Sequence, residues 1–179
     1  MTPNQIREAA KFLKDAAAAR KRVDNLPEGL RPATEAEGAA IWAQILSENA
    51  KPIVGWKIGA TAAAAQQAMG LSAPFVGFLT EDMIDQNGVT YQYKDMLGPI
   101  VESEYAFRMA ADLPPKAEPY TRAEVEAAVG SMIIGFEIPE RRLGDNHDLG
   151  ALGSLSDHGG TGRFVIGHEF TDWQGKDCA

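Results

Sequence analysis

The sequence is poor in cysteine, in positive charge and in long apolar runs. Its one cysteine, Cys178, cannot close an internal disulfide, which points to a reducing compartment. Lys and Arg number 17 against 25 Asp and Glu, a formal net charge of -8. Such a balance argues against nucleic acid, where affinity comes from neutralised phosphates. No apolar run reaches the ~20 residues that cross a bilayer. The opening "MTPNQIREAAKFLKDAAAARKRVDN" is too charged for a signal-peptide core. The expectation is a cytoplasmic protein with no nucleic-acid and no membrane partner. Several catalytic signatures are missing too. "DHGGTGR" lacks the Gly-Lys-Ser/Thr ending of a phosphate loop. His147, His158 and His168 show no zinc-ligand spacing and read as surface or loop histidines. No serine sits in a nucleophile elbow, and Cys178 has no nucleophile context.

What is present is enough chain for one domain with a real core, at 179 residues and 45% hydrophobic content. Ile6, Ala9, Ala10, Leu13 and Ala17 follow helical spacing, which predicts a helix from Pro3 to about Val23. "TEAE" predicts a second helix, with Thr34 as N-cap and Glu37 closing a capping box. After Pro52 the pattern turns to strands: "IVGWKIGAT", "FVGFLT", "GPIVESEYAF", "GSMIIGFEIPERR" and "RFVIGHEF". "AAAAQQAMG" reads as a short helix closed by Gly70, and Thr121 with Glu124 makes a further capping box. Asn87-Gly88 predicts a hairpin. "LGDNHDLGALGSLSDHGGTG" reads as a glycine-rich loop. The fold class is α+β: helices over 1–50, then a mainly β domain over 51–179. Regular βα alternation is absent, which argues against a doubly wound sheet.

Three acids stand out. Glu102 and Glu104 are two apart in a β-prone run, so in a strand they share a face and repel. Glu137 interrupts the apolar "MIIGFEI" strand, where a lone acid is costly unless paired or bound to metal. Three carboxylates favour a hard cation such as Mg²⁺, Mn²⁺ or Ca²⁺. The alternative is three solvent-facing acids paired with arginines such as Arg108, Arg141 or Arg142. Lys57, flanked by Trp56 and Ile58 in "GWKIG", either stabilises an oxyanion or binds a carboxylate, or else sits on the wet face of an edge strand.

In order, "GWKIGAT", "QQAMGLSAPFVGFLTEDM", "GPIVESEYAF", "DLPP" with "PYTRAEVEAAV", "GFEIPERR" and "SDHGGTGRFVIG" resemble the 2-keto-4-pentenoate hydratase and 4-oxalocrotonate decarboxylase group of the fumarylacetoacetate hydrolase superfamily. The resemblance implies a β body of the fumarylacetoacetase C-terminal-like type, here lacking its final strands. It implies that Glu102, Glu104 and Glu137 hold catalytic Mg²⁺ or Mn²⁺ and that Lys57 faces the substrate. It implies 2-oxo or 2-hydroxy-dienoic acid substrates and a homo-oligomer. Hydration of a dienoate to a 4-hydroxy-2-oxo acid is the leading expectation, with decarboxylation or acylpyruvate hydrolysis as alternatives. An inactive truncated paralogue or an assembly subunit is a further one. Two departures bear on substrate choice. Phe75 stands where many hydratases carry an aspartate, and decarboxylase-type members have an apolar residue there. In "SDHGG", Asp157 keeps the family's acid while His158 replaces a common asparagine. Asp157, His158 and Phe75 are therefore the substrate-binding candidates.

Overall fold

The computed structural model describes residues 1–144 and 148–175. Cys178 and His147 lie outside them. Two helices open the chain, α1 (Pro3–Ala18) and α2 (Glu35–Ser47). The Thr2 side chain accepts from the Gln5 N–H, and Gln5 reaches back to the Thr2 N–H, a full capping box. At α2 the box is half made. Thr34 accepts from the Glu37 N–H, but the Glu37 carboxylate takes the Ala33 N–H and the N-terminal ammonium instead. Helix α1 ends at Ala18 rather than near Val23. Arg20 adopts a left-handed φ of 50° and sends its guanidinium to the buried Glu140 carboxylate at 2.5–2.6 Å. Val23 then bridges to Leu143 in parallel.

The β body has two sheets. Strands β1 (Ile53–Gly59) and β2 (Phe75–Thr80) form an antiparallel pair, joined through the short helix α3 (Ala63–Met69). Gly70, left-handed at φ 69°, closes α3 as its sequence signal predicts. The second sheet holds β3 (Ile84–Gln86), β4 (Glu102–Met109), β5 (Val129–Ile138) and β6 (Arg163–Phe170), in the order β3-β6-β5-β4. The short helix α4 (Arg122–Ala128) leads directly into β5, started by the Thr121–Glu124 capping box.

Two expectations are corrected. Asn87-Gly88 does not make a hairpin. Gly88 turns the chain at φ 92°, but β3 pairs in parallel with β6. Asp85 explains the choice, because it binds Arg163 of β6 at 2.5 Å and the Tyr91 hydroxyl at 2.6 Å. The glycine-rich loop also contains a helix, α5 (Ala151–Ser156), which packs on α2. Gly38 of α2 permits this, since a Cβ there would lie 3.2 Å from both Leu155 and Ser156. Ala9, Ala10, Leu13, Leu26, Ile41, Ile45, Phe78 and Leu143 form one core cluster. The N-terminal helices thus anchor both α5 and β2, the two elements that flank the candidate site.

Candidate metal centre

Strands β4 and β5 run antiparallel with Glu102 directly opposite Glu137 and Glu104 opposite Gly135. Directly paired residues project from the same face, and so do residues two apart. Register alone therefore brings the three acids together. One carboxylate oxygen from each lies within 4.8 Å of the others. Glu137 is only 5% exposed, while Glu102 and Glu104 remain partly open to solvent. Gly135, opposite Glu104, lets β6 approach β5 closely beside the cluster. A Cβ there would lie 2.5 Å from the Val165 carbonyl and 2.6 Å from the Phe164 ring.

Lys57 arrives from the other sheet. Its Nζ is 3.2 Å from Glu137 Oε1, and the two side chains are 10% and 6% exposed. Yet Glu137 Oε1 has no aligned hydrogen bond. Burial pushes the Glu137 carboxyl above its ordinary value, Lys57 pulls it back, and Glu102 and Glu104 push it up further. Glu104 is raised chiefly by burial, then by Glu102. A cluster of repelling, partly desolvated carboxylates, one oxygen of which lacks an aligned hydrogen bond, fits a hard divalent cation. The arginine alternative does not describe these acids. Arg108 pairs with Glu169, Arg141 donates to the Gly98 carbonyl, and Arg142 binds Asp157.

Phe75, the first residue of β2, lies beside Lys57, with the ammonium 5.1 Å from its ring centroid. The 157–161 turn closes over them. Gly159, at φ 63°, must lack a Cβ, which would lie 2.8 Å from Lys57 Cε and 2.9 Å from the Phe75 ring. Asp157 and His158 are both buried in this turn. Asp157 accepts from Arg142 Nε at 2.6 Å, and Arg142 also donates to the Asp157 and Thr161 carbonyls. His158 Nε2 accepts the Phe78 N–H at 2.7 Å, and its ring lies 3.9 Å from that of Phe78. Burial, then the Arg142 and Lys57 charges, hold the imidazole down to about 3, so it is neutral. These polar contacts brace the turn against β2.

Sequence reasoning missed Arg142 as the brace of the turn. The signal was its place just past β5 in "PERR", with the acid it holds fifteen residues later, a separation no local pattern reports. It also missed Gly77, opposite Lys57 in the β1–β2 register. A Cβ there would strike Thr161 Oγ1 and lie 2.7 Å from the His158 carbonyl.

No family model matches the chain. Among curated proteins it is 30% identical over 167 residues to the TodF product hydratase of Pseudomonas putida F1, covering 90% of this chain and 60% of that one. It is 29% identical over 182 aligned residues to a 2-keto-4-pentenoate hydratase of Paraburkholderia xenovorans, covering 100% and 66%. A 2-hydroxyhexa-2,4-dienoate hydratase of Comamonas testosteroni is 32% identical over 129 residues, 71% and 48%. The chain therefore spans less than two thirds of these relatives' own length. Among solved structures, 4-oxalocrotonate decarboxylase from Pseudomonas putida G7, complexed with magnesium and adipate, superposes with a TM-score of 0.82 at 21% identity. That match covers 96% of this chain and 65% of the decarboxylase. The same enzyme with calcium and acetate gives 0.81. The α+β fold is thus that of the decarboxylase. In sequence the chain is thus similar to 2-keto-4-pentenoate and related dienoate hydratases, and in fold to 4-oxalocrotonate decarboxylase.

Proposed function

We propose that this chain carries the catalytic centre of a divalent-metal-dependent lyase acting on 2-oxo or 2-hydroxy-dienoic acids. The leading reaction is hydration of a dienoate to a 4-hydroxy-2-oxo acid. The observation that carries this reading is the convergence of Glu102, Glu104 and Glu137 within 4.8 Å beside a buried lysine. The names of the relatives supply the substrate class. Glu102, Glu104 and Glu137 would hold Mg²⁺ or Mn²⁺, both of which accept an all-oxygen set. When bound, the ion supplies Lewis-acid polarisation of the substrate's carboxylate and C2 oxygen. The role of Lys57 is to offset negative charge that develops on the C2 oxygen in a water-poor site. The turn at 158–160 and the Phe75 ring shield that lysine from solvent. In the hydration, the dienoate takes a proton at C5 and gives up its C2 enol proton to become the conjugated ketone. Water then adds its hydroxyl at C4 and a proton at C3.

One observation favours a second reading, 4-oxalocrotonate decarboxylation. Phe75 puts an apolar ring, not a carboxylate, against Lys57. A reaction that loses CO₂ makes no demand for water activation there.

Calorimetric titration of Mg²⁺ and Mn²⁺ into metal-stripped protein, with and without oxalate, tests the proposal. Oxalate copies the chelating end of a 2-oxo acid. The expected outcome is saturable binding that oxalate tightens and that Glu102→Gln or Glu137→Gln abolishes. Absence of binding in folded protein would end the metal-dependent reading. Turnover of 2-hydroxypenta-2,4-dienoate or of 4-oxalocrotonate by the loaded protein then separates the two reactions.

A further inference from the structure

We infer that Lys57 is the resident counter-cation of the carboxylate cluster, and that a divalent ion enters by displacing it from Glu137. The inference rests on the metal reading above and adds a gating step to it. Lys57 and Glu137 are nearly closed off from water, and the ammonium is 3.2 Å from Oε1. In such an environment two cations cannot share one carboxylate without strong repulsion. The contact is an ion pair at 3.2 Å in which Oε1 receives no well-aligned hydrogen bond. Lys57 also comes from β1, a strand of the other sheet, so it can withdraw without disturbing the Glu102–Glu137 register. It has somewhere to go. The Phe75 ring is already 5.1 Å from Nζ, and an aromatic face holds an ammonium well once water is excluded. Phe75 then serves as a second seat for the cation that the metal displaces. Loading and aiming of Lys57 become one event.

The test is Mn²⁺ affinity, read by calorimetry on the metal-stripped chain, for wild type, Lys57→Met and Lys57→Gln. Removing a competing cation should tighten binding by about tenfold or more in both variants. Thermal unfolding reads the same cycle from the other side. Without metal, the variants should melt below wild type, since three carboxylates lose their counter-charge. With saturating Mn²⁺ the gap should close or reverse. Unchanged or weaker affinity in both variants, or a melting gap that Mn²⁺ leaves alone, overturns the inference. In that case Lys57 and the ion coexist, and Lys57 merely orients Glu137. A folded wild type and variants that all fail to bind Mn²⁺ would overturn the metal reading itself, and the inference with it.

Discussion

His158 shows how one side chain can decide the stability of the turn over the site. Its Nε2 can accept the Phe78 N–H only while unprotonated. Burial and the nearby Arg142 hold its folded value at about 3, against an ordinary value near 6.5. A base with a depressed folded value binds more protons when unfolded. Its contribution is full above pH 6.5 and drains away as pH falls toward 3. The total is on the order of 4–5 kcal/mol. Glu137 and Asp157, both raised by burial, act with the opposite sign, losing stability as pH rises through their folded values. A variant comparison removes that background. His158→Gln keeps an acceptor but loses the titration. Urea unfolding from pH 7 to 4 should show a steep loss for wild type and a shallower one for the variant. Parallel slopes would mean the imidazole protonates freely in the folded state. The sequence carried the residue as a substrate-binding candidate. It did not carry its burial, because that comes from β2, eighty residues upstream.

At the scale of elements, the site depends on close approach between β2 and the 157–161 turn. Gly77 is the contact point. Its missing side chain makes room for Thr161 and for the His158 carbonyl, and backbone cannot yield as a flexible side chain can. Gly77→Ala should push the turn outward and cost about 1–3 kcal/mol. It should also loosen the cover on Lys57, which a rise in solvent exchange of the 158–161 amides would report. A variant with wild-type stability and protection would show that the turn moves at no cost. The strands themselves were largely legible in advance. Alternation placed Glu102 and Glu104 on one face, and the apolar run flagged Glu137 as anomalous. Register was not legible, because no local signal says that 102 meets 137 rather than 135 or 139. Helix α5 was hidden for a related reason. Its glycines look like loop, yet the buried Gly153 sits within the helix, and Gly38 of α2 is what lets the two pack together. A turn does form at Asn87-Gly88, with Gly88 alone at positive φ and the Val89 N–H on the Gln86 carbonyl, but it is not the hairpin type, and β3 pairs with β6 instead.

At the scale of the whole molecule, apolar sheet surface stays exposed among the described residues. On the face of β4–β5 opposite the carboxylates, Tyr105 is 50% exposed and its cross-strand partner Ile134 is 42% exposed, with Phe107 and Phe136 beside them. On β1, Val54, Trp56 and Ile58 are exposed as well. Strand β4 is also the edge of its sheet. Alternation in the sequence identifies such a face as apolar, but only the fold reveals that the described residues leave about half of it exposed, with Trp173 edge-on against Phe107. Soluble monomers seldom expose contiguous apolar patches beyond a few hundred Å². The chain by itself should therefore self-associate. Sedimentation velocity across a concentration series should show larger species growing with protein concentration. Tyr105→Glu with Ile134→Lys replaces the central apolar pair by opposite charges that still attract across the strands. That double variant should sediment as smaller species and bind less of a hydrophobic dye. Its Mn²⁺ affinity should match wild type, since Glu102, Glu104 and Glu137 project from the other face. A wild-type chain that stays monomeric and ignores the dye would show that this surface tolerates water. Reduced metal affinity in the double variant would show instead that the face supports the carboxylates through the sheet.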